Sequence, residues 1–351
     1  MKRTKTSASL STQMKTRASK PAKEAEEFDG TTAKMISTGS TLLDLAITGG
    51  RVRGGGMPGG ILVEVFGPSG SGKTVLLCEL AGAMQRRGGQ VMFNDPEARL
   101  NKQFARQFDL DTTEIDYSTP DTVPQVFSAV RKWEPEPKNE IHGVFADSLA
   151  ALSTGLEMDN DEGDKMGMRR AKEFSEELRK TCRIITQKNL LMVCSNQIRQ
   201  NAGAGQFEPK YKSPGGEATG FYASLRLRTF QPEKIWKKLT VAGKETKRVI
   251  GVKTKIEVFK STIWKPYRTA PLTILFDYGV DDVRQNLQFI KDYTKATIYT
   301  IGSFSDLDKS MDKSIQIVEM EGWEDKLRDE VIDLWENIEG LFDSERKKKQ
   351  R

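Results

Sequence analysis

Histidine and cysteine are scarce in this chain. Among its 351 residues there is one histidine, His142, and three cysteines, Cys78, Cys182 and Cys194. His142 has no Cys or His neighbour in sequence, which argues against a structural zinc site. The cysteines are far apart in apolar-patterned segments, so they read as buried, reduced core residues rather than ligands or disulfide partners. Long apolar runs are missing too: none approaches the roughly 20 residues of a membrane helix. The basic N-terminal stretch is followed by no apolar segment of the secretory kind. These absences argue against a zinc module, a disulfide scaffold and a membrane partner, and set the expectation of a reducing, cytoplasmic setting.

Charge is unevenly placed. The formal net charge is +6. Residues 1–23 carry seven Lys or Arg and no acids, and residues 346–351 carry five more. Taking those twelve away leaves residues 24–345 at −6. The basic character therefore belongs to the two ends, which read either as solvated tails or as weak attachments to nucleic acid through counterion release.

What is present is an alternation. Residues 1–34 lack a sustained apolar period and read as a basic tail with a short helix. From Met35 onward, apolar runs at 61–66, 90–94, 144–146 and 190–194 read as buried strands. Between them lie candidate helices at 74–87, 97–108, 122–132 and 166–188. Strand, helix, strand, helix predicts an α/β fold with a mainly parallel central sheet. After residue 221 the strands at 224–229, 254–260 and 272–276 have mostly short connections, which predicts a mixed edge, with residues 244–248 as a polar hairpin tip. A boundary near 282–285 separates the core, residues 35–284, from a small α+β unit at 285–342 and a basic tail at 343–351. In that unit, 297–301 and 315–318 read as short strands and 323–341 as a long helix.

The strand at 61–66 runs into Gly67-Pro68-Ser69-Gly70-Ser71-Gly72-Lys73-Thr74, which fits G-x-x-x-x-G-K-[ST] and opens a helical stretch. The glycines let successive backbone N–H groups turn inward to hold phosphate oxygens, and the helix start adds the positive end of its dipole. Lys73 would neutralise the β and γ phosphates of ATP, and the Thr74 hydroxyl would be a Mg²⁺ ligand. A carboxylate to hold the magnesium is expected at a strand end, where Asp147 stands. Asn94-Asp95-Pro96-Glu97 leaves the sheet on the same face; Glu97 is the candidate for orienting water, with Asp95 as its rival. Ser195-Asn196-Gln197 ends another strand there, and a neutral amide at that point can sense a terminal phosphate.

The order of these motifs resembles the bacterial RecA-type recombinases. The resemblance is carried by Ile36-Ser37-Thr38-Gly39-Ser40 with Leu43-Asp44, the phosphate loop, Asp95-Pro96-Glu97-Ala98, Ala146-Asp147-Ser148-Leu149-Ala150-Ala151-Leu152, Asn196-Gln197-Ile198-Arg199, and Gly215-Gly216 before Phe221-Tyr222-Ala223-Ser224. It spans roughly residues 35–279. It implies a RecA-like P-loop ATPase core in which Glu97 is the catalytic glutamate, Gln197 the γ-phosphate sensor, and Asn101 and Phe104 lie near the base. It implies two loops that bind single-stranded DNA, 156–168 and 199–220, with Met166 and Gly167 at the tip of the first and Gly215 and Gly216 as backbone contacts of the second. Phe221 and Lys260 would lie at a subunit interface, Lys260 reaching the neighbour's ATP. The implied partners are single-stranded DNA, a homologous duplex and further copies of the chain in a helical filament.

The residues agree in part. The second loop holds Gly203, Gly205, Pro209, Pro214, Gly215 and Gly216, too irregular for a strand or helix, together with Arg199, Lys210, Lys212, Phe207 and Tyr211. The first loop is acidic before its tip, which leaves Met166 onward, with Arg169, Arg170 and Arg179, as its DNA-facing part. There are departures. Thr262 replaces a second interface lysine, with Lys265 nearby, Gly220 replaces another, and the acidic C-terminal tail frequent in the family is basic here. Such departures suit a copy carried on a phage or plasmid. The rival readings are a hexameric helicase or other motor of the same fold, and a DNA-coating regulatory filament protein with little hydrolysis. A small-molecule P-loop kinase explains neither the long loop nor the C-terminal unit.

Overall fold

The computed structural model describes residues 34–154, 166–197, 199–200, 211–212 and 218–343. In chain order the elements begin with α1 (Thr41–Thr48), β1 (Ile61–Gly67), α2 (Lys73–Arg86), β2 (Val91–Asn94), α3 (Lys102–Arg106), β3 (Ile115–Ser118), α4 (Val123–Lys132) and β4 (His142–Ala146). There follow α5 (Met166–Gln187), β5 (Leu190–Gln197), the two-residue strands β6 (Arg199–Gln200) and β7 (Tyr211–Lys212), α6 (Ala218–Tyr222) and β8 (Leu225–Thr229). The remainder is β9 (Glu233–Val241), β10 (Lys244–Ser261), β11 (Thr269–Leu275), β12 (Gly279–Val280), α7 (Asp282–Thr294), β13 (Thr300–Ile301), β14 (Ser305–Asp306), α8 (Met311–Glu321) and α9 (Glu324–Gly340).

The main sheet runs β12-β11-β10-β8-β1-β5-β4-β2-β3, with β9 also paired to β10. From β8 to β3 every neighbouring pair is parallel. β10, β11, β12 and β9 join antiparallel. The alternation of helix and strand produces the first part, because parallel neighbours need a crossover connection. Side chains alternate across the sheet and feed two apolar layers. Val63, Val65, Phe93, Phe145 and Val193 face α1 and α2. Leu62, Met92, Val144, Met192 and Cys194 face α4 and α5, where Phe127 and Phe174 meet edge to face at 6.3 Å.

The C-terminal elements combine helices with two short strands, and they share the core of the sheet. Leu287 and Ile290 of α7 and Val331 and Trp335 of α9 belong to the same buried cluster as α1 and β11. Residues 315–318, expected as a strand, lie in the middle of α8. Ile315 and Val318 are β-branched, but they stand three apart on one helical face with Met311, and that period decides. The helix expected at 97–108 is cut to five residues, because Ala98 takes φ 51° and the Asp95 carboxylate accepts from Leu100 N at 2.7 Å, which makes a turn of the first part. Lys244–Arg248 are strand, not tip: the hairpin turns at Ala242 and Gly243, both at positive φ, between the paired Val241 and Lys244.

Candidate nucleotide site

β1 ends at Gly67 and α2 begins at Lys73, so the phosphate loop joins a buried strand to a helix N-terminus. Two of its glycines have identifiable causes. A Cβ on Gly67 would stand 1.9 Å from Thr229 Oγ1, and one on Gly72, at φ 87°, would stand 2.3 Å from Ile274 Cδ1. Ser71 closes the loop from inside: its hydroxyl donates to the Pro68 carbonyl at 2.7 Å and pairs with Thr229 Oγ1 at 2.7 Å. Lys73 is only 8% exposed, and its ammonium donates to the carbonyls of Pro68 and Gly67 at 2.7 and 3.2 Å. Burial lowers its pKa, while Asp147 and Glu97 pull it back up.

The carboxylate at the end of β4 meets this loop directly. Thr74 Oγ1 donates to Asp147 Oδ2 at 2.6 Å, and Ser195 of β5 donates to Asp147 Oδ1. Beyond it, Ser148 Oγ donates to Glu97 Oε1 at 3.4 Å, and Arg99 pairs with Glu97 at 2.6 Å. The rival carboxylate, Asp95, is buried and accepts from Leu100 N at 2.7 Å and from the Tyr117 hydroxyl at 2.9 Å. It holds the turn after β2, and Glu97 is the one aimed at the Asp147 end. Gln197 is the register partner of Gly67 across the β1–β5 pair, which puts the last residue of β5 beside the first of the loop.

The donor set fits a polyphosphate with a hard cation. A hydroxyl and a carboxylate stand 2.6 Å apart, which suits an oxygen-seeking ion such as Mg²⁺ bound through Thr74 and Asp147. The carbonyls now accepting from Lys73 mark where phosphate oxygens would compete for the same ammonium. Among the described residues no group of three or more His, Cys, Asp or Glu side chains is placed to hold a metal by itself.

Asn101 caps α3, its side chain accepting from Phe104 N at 2.7 Å, and the Phe104 ring meets Phe108 at 5.0 Å. Asn101 therefore has a structural task, and Phe104 is half-buried on α3. Met166, Gly167 and Arg169 lie in the first turns of α5; of their side chains nothing is described. Arg170, expected as a DNA contact, donates to the Ala150 and Leu149 carbonyls at 2.7 and 3.2 Å, so its guanidinium holds the chain's own backbone in this structure. Arg199 lies in β6, which pairs antiparallel with β7. The start of the second loop thus pairs with its middle in a short ladder, more regular than its composition suggested. Gly215, Gly216 and residues 156–165 fall outside the described residues.

Phe221 is 76% exposed on α6 and packs edge to face on Tyr222. Lys260 is not at the chain's own phosphate loop. It pairs in register with Arg226, and its ammonium donates to the Gly220 and Phe221 carbonyls, both at 2.9 Å. Desolvation lowers its pKa, with Arg226 acting in the same direction. Thr262 donates to the Ser224 carbonyl at 3.3 Å, and Lys265 pairs with Asp343 at 3.5 Å. Sequence reasoning missed the parts played by Ser195, Ser148 and Thr229. Ser195 had a signal, because it precedes Gln197 by two and so shares its side of β5.

Comparison with known proteins places the chain among relatives. A family model described as the RecA N-terminal domain matches residues 22–281. Protein RecA of Thermus thermophilus is 34% identical over 252 residues, covering 71% of this chain and 69% of that one. Protein RecA of Ehrlichia canis (strain Jake) is 33% identical over 249 residues, covering 71% and 65%. A solved structure described as the crystal structure of the RadB recombinase aligns with TM-score 0.48 at 21% identity, covering 70% of this chain and 98% of that one.

Proposed function

We infer the function from one premise: the chain belongs to the RecA family. It is proposed to be a DNA-dependent ATPase that assembles as a helical filament on single-stranded DNA, pairs that strand with a homologous duplex and exchanges strands. The observation that carries this reading is the joining of two sites by one strand. β5 ends at Gln197, in register with Gly67, and the chain passes within two residues into β6, the start of the second loop.

In this reading ATP is held by the backbone of residues 67–74 and by Lys73, with Phe104 beside the base. Thr74 and Asp147 would hold Mg²⁺, which would offset charge on the β and γ phosphates. Glu97 orients a water for in-line attack on the γ-phosphorus; the bond to the bridging oxygen breaks and ADP leaves with phosphate. Gln197 registers that loss, and the second loop, with Arg199, Gly215 and Gly216, releases its grip on the strand. Met166, Gly167 and Arg169 are proposed contacts of the first loop. Phe221 and Lys260 are proposed to meet the neighbouring copy, and a head-to-tail contact that does not close on itself gives an open helix. Lys260 must first leave the Gly220 and Phe221 carbonyls. With Thr262 in place of a second lysine, activation across the interface rests on Lys260.

Electron microscopy with single-stranded DNA and a non-hydrolysable ATP analogue tests this. Helical filaments are expected. Closed rings that unwind duplex would replace the reading with a helicase. Filaments whose turnover is negligible and unaffected by single-stranded DNA would replace it with a DNA-coating protein.

A further inference from the structure

Beneath α6 lies a buried polar cluster that the chemistry above does not use. Glu64, three residues before Gly67, is 0% exposed. A carboxylate in that position is costly unless ionic partners and hydrogen bonds engage it. Both oxygens are engaged: Oε1 accepts from Asn196 Nδ2 at 3.0 Å and Oε2 from Arg226 Nε at 2.6 Å. The sheet explains the meeting. Glu64 stands in register between Cys194 of β5 and Arg226 of β8. Asn196, two residues beyond Cys194, shares its face and directly precedes Gln197.

Arg226 has further neighbours. Its guanidinium carbon lies 4.5 Å from the Phe66 ring centre and 5.3 Å from that of Phe259. On another side is Gly220 of α6. A Cβ on Gly220 would come within 2.9 Å of both Cζ and Nη1 of Arg226. Gly220 is not among the glycines at positive φ, so its backbone conformation does not demand glycine; the room left by Arg226 does. Lys260, the register partner of Arg226, holds the carbonyls of Gly220 and Phe221. The helix that closes the second loop therefore rests on two cations, one of which is tied through Glu64 to the residue beside the proposed phosphate sensor.

We propose that Arg226 is a positioning residue: with Glu64 it fixes α6 to the Gln197 end of β5, and Gly220 is the clearance that this packing requires. The proposal rests on the reading that nucleotide at the phosphate loop governs the second loop's hold on DNA. Glu64 is buried, Arg226 is partly so, and both carboxylate oxygens are hydrogen-bonded, so the pair is stiff and directional. A displacement at the end of β5 passes to α6 through it, rather than being absorbed between them.

The test replaces both charges together, Glu64→Gln with Arg226→Met, so that neither is left buried alone. The measured quantity is the ratio of single-stranded DNA affinities in a slowly hydrolysed ATP analogue and in ADP. The double variant is expected to keep its thermal midpoint and its affinity for the analogue without DNA, while the ratio falls at least tenfold towards one. A folded double variant with the parent's ratio would overturn the proposal. A second comparison needs no nucleotide. Gly220→Ala is expected to lower the thermal midpoint of the parent by several degrees and to have little effect on the double variant; equal lowering in both overturns the clearance. A ratio of one in the parent itself would mean that the proposed function is wrong and the coupling with it, while the Gly220 comparison still reports on the packing.

Discussion

Lys73 is held where its charge is useful and costly at once. Its ammonium rests on the Pro68 and Gly67 carbonyls, buried beside Asp147 and Glu97, and burial draws its pKa down. Lys73→Ala is expected to weaken binding of a fluorescent ATP analogue at least a hundredfold with little change in thermal midpoint, since a charge-assisted contact to phosphate is lost and no core is disturbed. Undiminished analogue affinity would remove Lys73 from the site. A second residue-scale prediction concerns Glu79. Its carboxylate, half-buried on α2, accepts from Val280 N at 3.0 Å, and burial raises its pKa from 4.5 to about 7. An acid with a raised folded-state pKa holds its proton more tightly when folded, so the fold loses stability as pH rises from about 4.5 to about 7. Asp44 acts in the same sense, from 3.8 to about 6, again by burial. Glu79→Gln keeps an acceptor for Val280 N and is expected to flatten the fall in thermal midpoint across that window. A profile as steep as the parent's would show that Glu79 is not responsible. Legibility at this scale followed chain proximity. The phosphate loop, Asp147 and Glu97 stand in short motifs whose chemistry is local. Thr229 reaches the site from the end of β8, and no spacing along the chain announces that; Ser195 shows only through its two-residue offset from Gln197.

Elements were legible where a continuous apolar run or an amphipathic period marked them. The buried strands β1, β2, β4 and β5 show as apolar runs, and α4 and α5 by their amphipathic period. α1 escaped because every residue in it is buried, leaving no polar face to mark a helical period. β9 escaped for the opposite reason: its residues are exposed or nearly so, and Lys and Glu interrupt the apolar ones. Its turn was hidden as well, because Ala242 occupies a left-handed position at which Asn or Gly is the usual sign of a hairpin. That makes Ala242 a lever. An L-residue with a plain Cβ pays on the order of 1 kcal/mol there, and Asn less. Ala242→Asn is expected to raise hydrogen-exchange protection of the β9–β10 amides about fivefold while leaving the global thermal midpoint nearly unchanged. Unaltered protection would mean that the turn does not limit opening of the hairpin.

At the scale of the molecule, two basic ends flank a body of opposite sign. The seven and five cationic residues of 1–23 and 346–351 turn a body of −6 into a chain of +6. Each phosphate neutralised on a single strand contributes roughly 0.7 to the slope of log affinity against log salt. Removing both ends is expected to weaken single-stranded DNA binding at low salt and to flatten that slope, while the dependence on nucleotide is retained. Loss of the nucleotide dependence with the tails would place the grip in the tails rather than in the loops.

The account depends on the passage from Gln197, in register with Gly67, into the loop that β6 opens. The direct measurement is a titration of labelled single-stranded DNA with the unaltered chain at fixed salt, once with a slowly hydrolysed ATP analogue and magnesium and once with ADP and magnesium. Binding at least tenfold tighter with the analogue is predicted. Equal affinity in the two would contradict the account.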